Sequence, residues 1–333
     1  MEKTVRKKKT GLALSVALNL LLCIALIITA VFLSKEKASS NVLAANVAVQ
    51  QEIIDNEMIP LETFQKNAAD FNVSTEFIQR FFTDKIVYKD ESGIVYADVD
   101  ESLPKNSYNW ENLVREENKR IRYLDDGAKV GIDVSKYQGE IDWEKVKADG
   151  IDYAILRLGY RGYGTGKMVL DETYEDNLEN AEEAGMDIGV YYFTQAITPE
   201  EAVEEAEMVL EYIKGHRILY PVIVDIEDVP SGEARTAGLT RDEITEILIA
   251  FCERIKQEGY TPMIYANTKW LVSKMDLARL TDYDKWLAQY YRTPFFPYEF
   301  HMWQYSSTGT VDGIEGNVDL NICFRDYTGG ARE

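Results

Sequence analysis

PVIVDIE (residues 221–227) is an apolar, β-branched run that ends in two carboxylates, and similar runs recur along the second half of the chain. The first five of these runs are each followed by a helical pattern, and they lie at 129–135, 153–159, 187–193, 221–227 and 262–267. Alternating strand and helix patterns are typical of β-α units. Three more strand patterns follow with little room for helices, at 286–290, 301–306 and 317–323. The sequence therefore predicts an α/β fold, a modified (β/α) barrel.

Two of the predicted helices carry clear end signals. One begins at Thr198 and Pro199 and stops at Gly215, and the other runs from Thr240 to about Glu258. A capping threonine, a proline in the first turn and a terminal glycine all favour these boundaries.

Acidic residues recur where the predicted strands end. Asp133 lies at the end of the first strand, Asp225 and Glu227 end the fourth, and Asp312 follows the seventh. Barrel sites are built at the C-terminal ends of the strands, so we expect these acids to share a pocket. Residues i and i+2 of a strand face the same side, which places Asp225 beside Glu227.

The Asp225–Glu227 pair predicts acid chemistry. Like charges at this spacing resist joint ionisation, so one carboxyl is expected to have a raised pKa and to donate a proton near neutral pH. A D-x-E pattern is also common as a solvated strand end. Its place after an otherwise apolar strand is what singles this pair out.

Charge and composition exclude some functions. The formal net charge is -21, and because the first ten residues carry +4, the remainder carries -25. Such an acidic body is expected to repel nucleic acid. Three cysteines and two histidines, all far apart, form no zinc or redox motif, so we expect no metal and no cofactor.

The N-terminal region predicts a membrane anchor. Residues 11–33 are uncharged and apolar, and as a helix they would rise roughly 35 Å, enough to cross a hydrocarbon core of about 30 Å. The basic residues before them predict a cytoplasmic tail over 1–10 and an extracytoplasmic remainder, hence a single-pass protein of the cell membrane. A cleaved signal peptide is the alternative, although the apolar stretch exceeds the usual signal core.

The region between this segment and the barrel is less regular. Residues 34–127 mix polar and apolar segments without a repeat, and we interpret them as a partly helical stalk or accessory region. The barrel is then expected over 128–327, with a short tail over 328–333.

The order and spacing of several motifs resemble those of glycoside hydrolase family 25. These motifs span about 128–326 and read GIDVSKYQGEIDW, YAILRLGYRGYGTG, DIGVYYF, PVIVDIE, MIYAN, WLAQY and MWQYSSTGTVDGIEGNVDLN. The resemblance implies a (β/α)5β3 barrel, in agreement with the strand rhythm. It also implies a lysozyme, an N-acetylmuramidase that cleaves the β-1,4 bond between N-acetylmuramic acid and N-acetylglucosamine in peptidoglycan.

The same resemblance implies roles for individual residues. Glu227 is similar to the family's general acid, Asp225 to its adjacent carboxylate, and Asp133 and Asp312 to two further acids of the site. Substrate contacts are expected from four residues at matching positions and from one aromatic residue at a strand end: Arg157, Tyr191, Tyr265, Gln304 and Trp303.

We expect hydrolysis with retention of configuration. Asp225 and Glu227 leave the same wall of the barrel, whereas a nucleophile and an acid must stand on opposite sides of the bond. This favours a substrate-assisted route, in which Asp225 orients the N-acetyl group of the substrate for attack.

Two other classes of protein stay open: a non-catalytic wall-binding surface protein on the same barrel, and an adhesin or scaffold that acts through its stalk. The presence of all the expected acids favours the enzyme. The expected partners are the glycan strands of peptidoglycan and, through the N-terminal helix, the membrane, with a monomeric catalytic domain.

Overall fold

The computed structural model describes residues 61–70, 72–116, 118–125, 127–229 and 234–329. The chain divides into two compact units, residues 1–74 and 75–333. The described part of the first unit is helix α1 (Leu61–Asp70) and a turn in which the Val73 N–H donates to the carbonyl of Ala68 over 3.0 Å.

The predicted anchor lies outside the described residues, as does the basic tail over 1–10. Within the part of the chain that is described, no helix combines the length and the apolar character needed to cross a membrane. The transmembrane segment over 11–33 therefore stays a prediction.

The second unit opens with a short helix and two hairpins. These are α2 (Thr75–Gln79), β1 (Lys85–Asp90) with β2 (Gly93–Asp98), and β3 (Leu113–Arg115) with β4 (Ile121–Tyr123). The Gln79 side chain donates to the carbonyls of Phe82 and Lys85 over 2.6 and 2.8 Å and accepts from the Val87 N–H over 2.7 Å. This amide holds the first hairpin against α2.

The described residues between 75 and 125 pack on the barrel, and the predicted stalk or accessory region over 34–127 stays a prediction in its bounds and role. The Tyr108 hydroxyl donates to the carbonyl of Phe300 over 2.5 Å, and its ring stacks on Phe324 with 4.3 Å between ring centroids. The Ile121 N–H donates to the Tyr305 hydroxyl over 3.2 Å. Burial of these apolar and aromatic side chains makes the region part of the barrel unit.

The strands that follow are β5 (Lys129–Val134), β6 (Tyr153–Arg161), β7 (Met168–Leu170), β8 (Asp187–Phe193), β9 (Ile218–Asp225), β10 (Pro262–Asn267), β11 (Asp284–Ala288), β12 (Met302–Gly309) and β13 (Val318–Cys323). Apart from β7, which extends the edge of β6, these described strands close into an eight-stranded barrel. Strand β13 lies between β12 and β5, antiparallel to both, and the others run parallel. The predicted modified barrel is confirmed.

The helices on the outside are α3 (Trp143–Ala148), α4 (Tyr174–Glu183), α5 (Pro199–Ile213) and α6 (Arg241–Gln257). The predicted caps are present, since Thr198 accepts from the Glu201 N–H and Thr240 forms a capping box with Glu243. After β10, a five-residue π-helix (Trp270–Lys274) stands where a fifth regular helix was expected.

Strand alternation separates an inner core from an outer core. In β9, Ile223 packs inside the barrel, whereas Val222 and Val224, and Ile226 just after the strand, pack in the outer core with the helices. A period of two therefore directs Asp225 and Glu227 to the inside. The two cysteines within the described residues, Cys252 and Cys323, are buried and free.

Candidate active site

Four carboxyl groups meet at the C-terminal ends of the barrel strands. Asp133 lies in β5, Asp225 ends β9, Glu227 follows two residues later, and Asp319 lies in β13. Asp319 pairs directly with Asp133 between neighbouring strands, and the charge of Asp133 raises the pKa of both Asp225 and Glu227. The structure thus brings together the predicted Asp133, Asp225 and Glu227, and adds Asp319.

Asp133 is the most fully hydrogen-bonded acid of the cluster. Its Oδ2 accepts from the side-chain amides of Asn321 over 2.7 Å and Gln304 over 2.9 Å, and Trp286 in turn donates to Asn321 over 2.9 Å. Burial raises the pKa of Asp133, while the amide donors oppose that rise because they stabilise the carboxylate.

Asp319 is the protonated member of its pair with Asp133. Burial raises the pKa of Asp319 to about 9, and the neighbouring charge of Asp133 adds to the rise. Their mutual hydrogen bond raises the pKa of Asp319 and lowers the pKa of Asp133. At neutral pH, Asp319 therefore holds the proton and donates it in a hydrogen bond to the Asp133 carboxylate.

The structure does not bring the predicted Asp312 into the acid cluster. Asp312 is exposed in the loop between β12 and β13, and its N–H donates to Oδ2 of Asp149 over 2.9 Å. Asp149 follows the C-terminus of α3, and the N–H of Asp142 at the start of α3 donates to the carbonyl of Gly313 over 2.9 Å, so Asp312 lies against this outer helix. The run NVDLNIC carried the missing signal, because alternation in β13 turns Asp319 and Asn321 inward between apolar neighbours.

Asp225 is only 5% exposed, and its Oδ1 has no hydrogen-bond partner among the described residues. Burial raises the pKa of this carboxyl well above its ordinary value, and the charges of Glu227 and Asp133 raise it further. The positive charge of the Arg157 guanidinium lowers the pKa of Asp225. Asp225 is thus a buried acceptor whose ionised form requires a positive or hydrogen-donating neighbour.

Glu227 is partly buried beside Asp225. Burial is the main cause that raises its pKa to about 7, and the charges of Asp133 and Asp228 contribute. A carboxyl with this pKa is substantially protonated at neutral pH and can still ionise, as a general acid that later acts as a base must do.

Gln304 joins two tyrosines to the acid cluster. Its Oε1 accepts from the hydroxyls of Tyr265 and Tyr290, each over 2.9 Å, while its amide nitrogen donates to Asp133. The predicted contacts Tyr265 and Gln304 therefore lie at the site. Tyr290, which the sequence analysis did not identify, is 55% exposed at its rim.

The structure does not place the predicted substrate contact Trp303 at the acid cluster. Its neighbour Gln304 faces inward, so alternation turns Trp303 to the outer core, where it is fully buried. Its indole N–H donates to the carbonyl of Gln289 over 2.7 Å. Trp303 supports the strand that carries Gln304.

Arg157 and Tyr191 occupy paired positions on the neighbouring strands β6 and β8. The Arg157 Nε donates to Oδ2 of the buried Asp171 over 2.6 Å, and its guanidinium lies 5.1 Å from the ring centre of Tyr137. Tyr137 is 78% exposed and marks the outer rim of the site. Both predicted residues thus lie at the site, with Arg157 fixed by an ion pair.

Comparison with known proteins decides the family. The sequence profile of glycosyl hydrolases family 25 matches residues 132–314, more than half of the chain. The chain belongs to glycosyl hydrolase family 25. The matched region begins inside β5 and ends before β13, so the two N-terminal hairpins lie outside it.

Curated family 25 relatives include the autolytic lysozyme of Clostridium acetobutylicum, which is 27% identical over 57% of this chain and 54% of its own length. Lysozyme M1 of Streptomyces globisporus is 30% identical over 57% of this chain and 66% of its own length. The chain therefore spans about half to two thirds of these relatives.

Among solved structures, the modular autolysin LytC from Streptococcus pneumoniae matches with a TM-score of 0.55 and 24% identity. The match covers 72% of this chain and 56% of LytC. A second structure of LytC is in complex with a synthetic peptidoglycan ligand. At this identity, the likeness shows that the fold is shared.

Proposed function

We propose that this family 25 protein is a peptidoglycan hydrolase, an N-acetylmuramidase that cleaves the β-1,4 bond between N-acetylmuramic acid and N-acetylglucosamine. The observation that carries the proposal is Glu227, a carboxyl with a pKa of about 7 beside the buried Asp225 at the mouth of the barrel. The names of the two lysozymes support a bacterial wall glycan as substrate.

In the first step, Glu227 donates its proton to the glycosidic oxygen. The bond between that oxygen and the anomeric carbon breaks, and the acetamido oxygen of N-acetylmuramic acid forms a bond to the same carbon. The product is a cyclic oxazolinium ion and a free N-acetylglucosamine end. Asp225 accepts a hydrogen bond from the acetamido N–H and balances the positive charge that develops on the ring.

In the second step, the Glu227 carboxylate takes a proton from water as the water attacks the anomeric carbon. The oxazolinium ring opens and the acetamido group is restored. Two inversions at the same carbon give net retention, and Glu227 returns to its protonated form.

Two features support assistance by the substrate over direct attack by Asp225. Asp225 ends β9 and Glu227 follows it by two residues, so both come from one wall of the site, whereas a nucleophile must approach the face opposite the acid. The Oδ1 of Asp225 is buried without a partner in the described structure, and an acetamido N–H supplies the donor it needs.

The surrounding residues bind and orient the sugar in this proposal. Gln304 and Tyr265 present fixed amide and hydroxyl groups, while the ring of Tyr191 meets Trp286 edge-on with 6.4 Å between ring centroids. Arg157, held by Asp171, moderates the negative charge of the cluster.

The proposed location is the outer face of the cell membrane, with residues 11–33 as a single-pass anchor and the catalytic domain outside. The basic cluster before this segment supports the orientation. Membrane fractionation tests it, because a protein found mainly in the culture medium would contradict an uncleaved anchor.

The sugar at the new reducing end tests the reaction. Purified peptidoglycan is incubated with the full chain, reduced with borohydride and hydrolysed, and reduced N-acetylmuramic acid is the expected product. Reduced N-acetylglucosamine would contradict the proposed bond. Wall binding without new ends would favour the non-catalytic wall-binding protein.

A cyclic thiazoline that mimics the oxazolinium ion tests the assisted route. It is expected to inhibit competitively and tightly, because Asp225 is placed to hold its ring nitrogen. Absence of binding by this compound, with normal cleavage of peptidoglycan, would count against assistance.

A further inference from the structure

A groove of about 490 Å³ lies beside the active site, between hairpin β1–β2 and the ends of strands β10 and β11. The hairpin contributes Tyr88, Lys89 and Glu91 to one wall, and Lys269 and Tyr290 lie on the barrel side. Its volume falls within the range of roughly 300–1,000 Å³ that is usual for ligand sites. The hairpin precedes the region that matches family 25.

The groove is continuous with the acid cluster. Tyr290 lines it, and the same hydroxyl donates to Gln304, which in turn binds Asp133. Asp228 also lines it and directly follows Glu227 in the chain. A polymer that crosses the acid cluster can therefore continue into the groove.

The hairpin wall is pinned in place. The Lys269 ammonium lies 2.8 Å from Oε1 of Glu91 on the hairpin and 3.0 Å from Oδ2 of Asp228 on the barrel. The Lys269 side chain is only 11% exposed, but its partners Glu91 and Asp228 are 81% and 52% exposed, so these are solvated pairs that contribute modestly. On the far side, Gln79 fixes the hairpin to α2. The wall is thus held ready before a ligand arrives.

We propose that this groove is an additional glycan subsite, which holds a neutral hexosamine unit of the same strand at a distance from the cleaved bond. This inference rests on the proposed function. The exposed ring of Tyr290 offers an apolar face to a pyranose, and ammonium, carboxylate and hydroxyl groups around it suit sugar hydroxyls and acetamido groups.

The charge of the groove favours a sugar over the stem peptide of peptidoglycan. Two lysines and three acids line it, which gives a net charge of one negative unit: Lys89, Lys269, Asp90, Glu91 and Asp228. Stem peptides carry both free carboxylates and free amines, and a groove whose own charges nearly balance gives such a peptide little net attraction. Glycan units are neutral once their carboxyl groups are amide-linked.

Dependence on glycan length tests the subsite. The ratio kcat/KM is measured for the full chain and for Lys89→Trp, with a tetrasaccharide and a decasaccharide as substrates, both free of stem peptides and with their lactyl carboxyls blocked as simple amides so that the sugar units stay neutral. Lys89 is exposed on the hairpin wall, so the larger side chain should obstruct the groove without disturbing the core. The matched control is Asp98→Trp, an exposed position at the other end of the same hairpin.

The expected result is a loss of about tenfold in kcat/KM for Lys89→Trp with the decasaccharide, equivalent to about 1.4 kcal/mol of lost binding. The tetrasaccharide should be cleaved at the wild-type rate, and the control should change neither value. Equal effects on both lengths, or no effect, would overturn the subsite. A loss seen only with strands that bear stem peptides would overturn the glycan assignment.

A binding measurement separates failure of the subsite from failure of the proposed function. If the wild-type chain cleaves neither oligosaccharide, the muramidase proposal fails. Calorimetric titration with the decasaccharide then decides the groove by itself: weaker binding by Lys89→Trp than by Asp98→Trp supports it, and equal binding overturns it.

Discussion

Replacement of Asp319 by asparagine and by alanine shows whether its side chain acts as a neutral hydrogen-bond donor or as an ionised carboxylate. With a pKa of about 9, Asp319 is protonated at neutral pH and donates to Asp133. Asparagine keeps both the neutral charge and a donor, so Asp319→Asn should retain kcat/KM within about threefold, or about 0.6 kcal/mol. Alanine removes the donor to a carboxylate, which is worth about 1.5–3 kcal/mol, so Asp319→Ala should lose about 10- to 150-fold.

The assay is the release of reducing ends from peptidoglycan at pH 6, with Asp312→Asn as the matched control. Asp312 is exposed and contacts Asp149 through its backbone, so this variant should equal wild type. If Asp319→Asn were as inactive as Asp319→Ala, the site would need the ionised carboxylate and the proton assignment would be wrong. A large loss of activity in Asp312→Asn would contradict the placement of Asp319, and not Asp312, as the fourth acid of the cluster.

The same variant has a defined effect on stability. The folded pKa of Asp319, about 9, lies above the ordinary value of 3.8, so the folded state retains a proton that the unfolded state releases. Its contribution to stability is complete below pH 3.8 and is lost as the pH rises towards 9, by up to about 1.4 kcal/mol per pH unit. The melting temperature of Asp319→Asn, relative to wild type, should therefore increase between pH 5 and pH 8. A constant difference would refute the raised pKa.

Three further results are expected. The value of kcat/KM should fall as the pH rises through about 7, because Glu227 must be protonated to act; full activity at pH 9 would contradict this. Asp225→Asn should lower kcat by about 10²- to 10³-fold, since it removes the charge opposite the oxazolinium ion, and a loss below tenfold would argue against that role. Trp303→Phe should cost about 1–2 kcal/mol of stability through its lost bond to Gln289, with KM unchanged; a raised KM with normal stability would restore Trp303 as a substrate contact.

The barrel was predictable because its signals are local. PVIVDIE and the similar runs bury both faces of parallel strands and therefore read as continuous apolar segments. Threonine caps and stop glycines marked the helices α5 and α6. The Asp225–Glu227 pair followed from the period of two, although β9 itself ends at Asp225, two residues earlier than expected.

The sequence and the structure place residues differently where a position depends on contacts distant in sequence. Asp312 and Asp319 are seven positions apart, and only the pairing of β13 with β5 shows which of them stands opposite Asp133. Trp303 and Gln304 are adjacent in β12 and therefore point to opposite faces of the sheet. Only Gln304 faces the site, and Trp303 faces the outer core. Alternation counted from Asn321 turns Asp319 to the inside of the barrel, and alternation counted from Gln304 turns Trp303 to the outside.

The hairpins over 75–127 were missed for a different reason. KIVYKDESGIVYAD alternates polar and apolar residues around a Ser-Gly turn, which is a hairpin signal, but a short two-stranded hairpin has little stability by itself. Its stability comes from the barrel, through contacts such as Lys269 with Glu91. Sequence patterns within the hairpin do not show that it packs on the barrel.

The turnover of Glu227→Gln decides whether Glu227 is the acid of the reaction. Glutamine preserves the size of the side chain and removes the proton that the leaving oxygen needs, so the variant should fold with a wild-type melting profile. It should also release almost no new reducing ends from peptidoglycan, at least about 10²-fold fewer than wild type. A folded Glu227→Gln that retains substantial muramidase turnover would remove Glu227 as the acid and contradict the account.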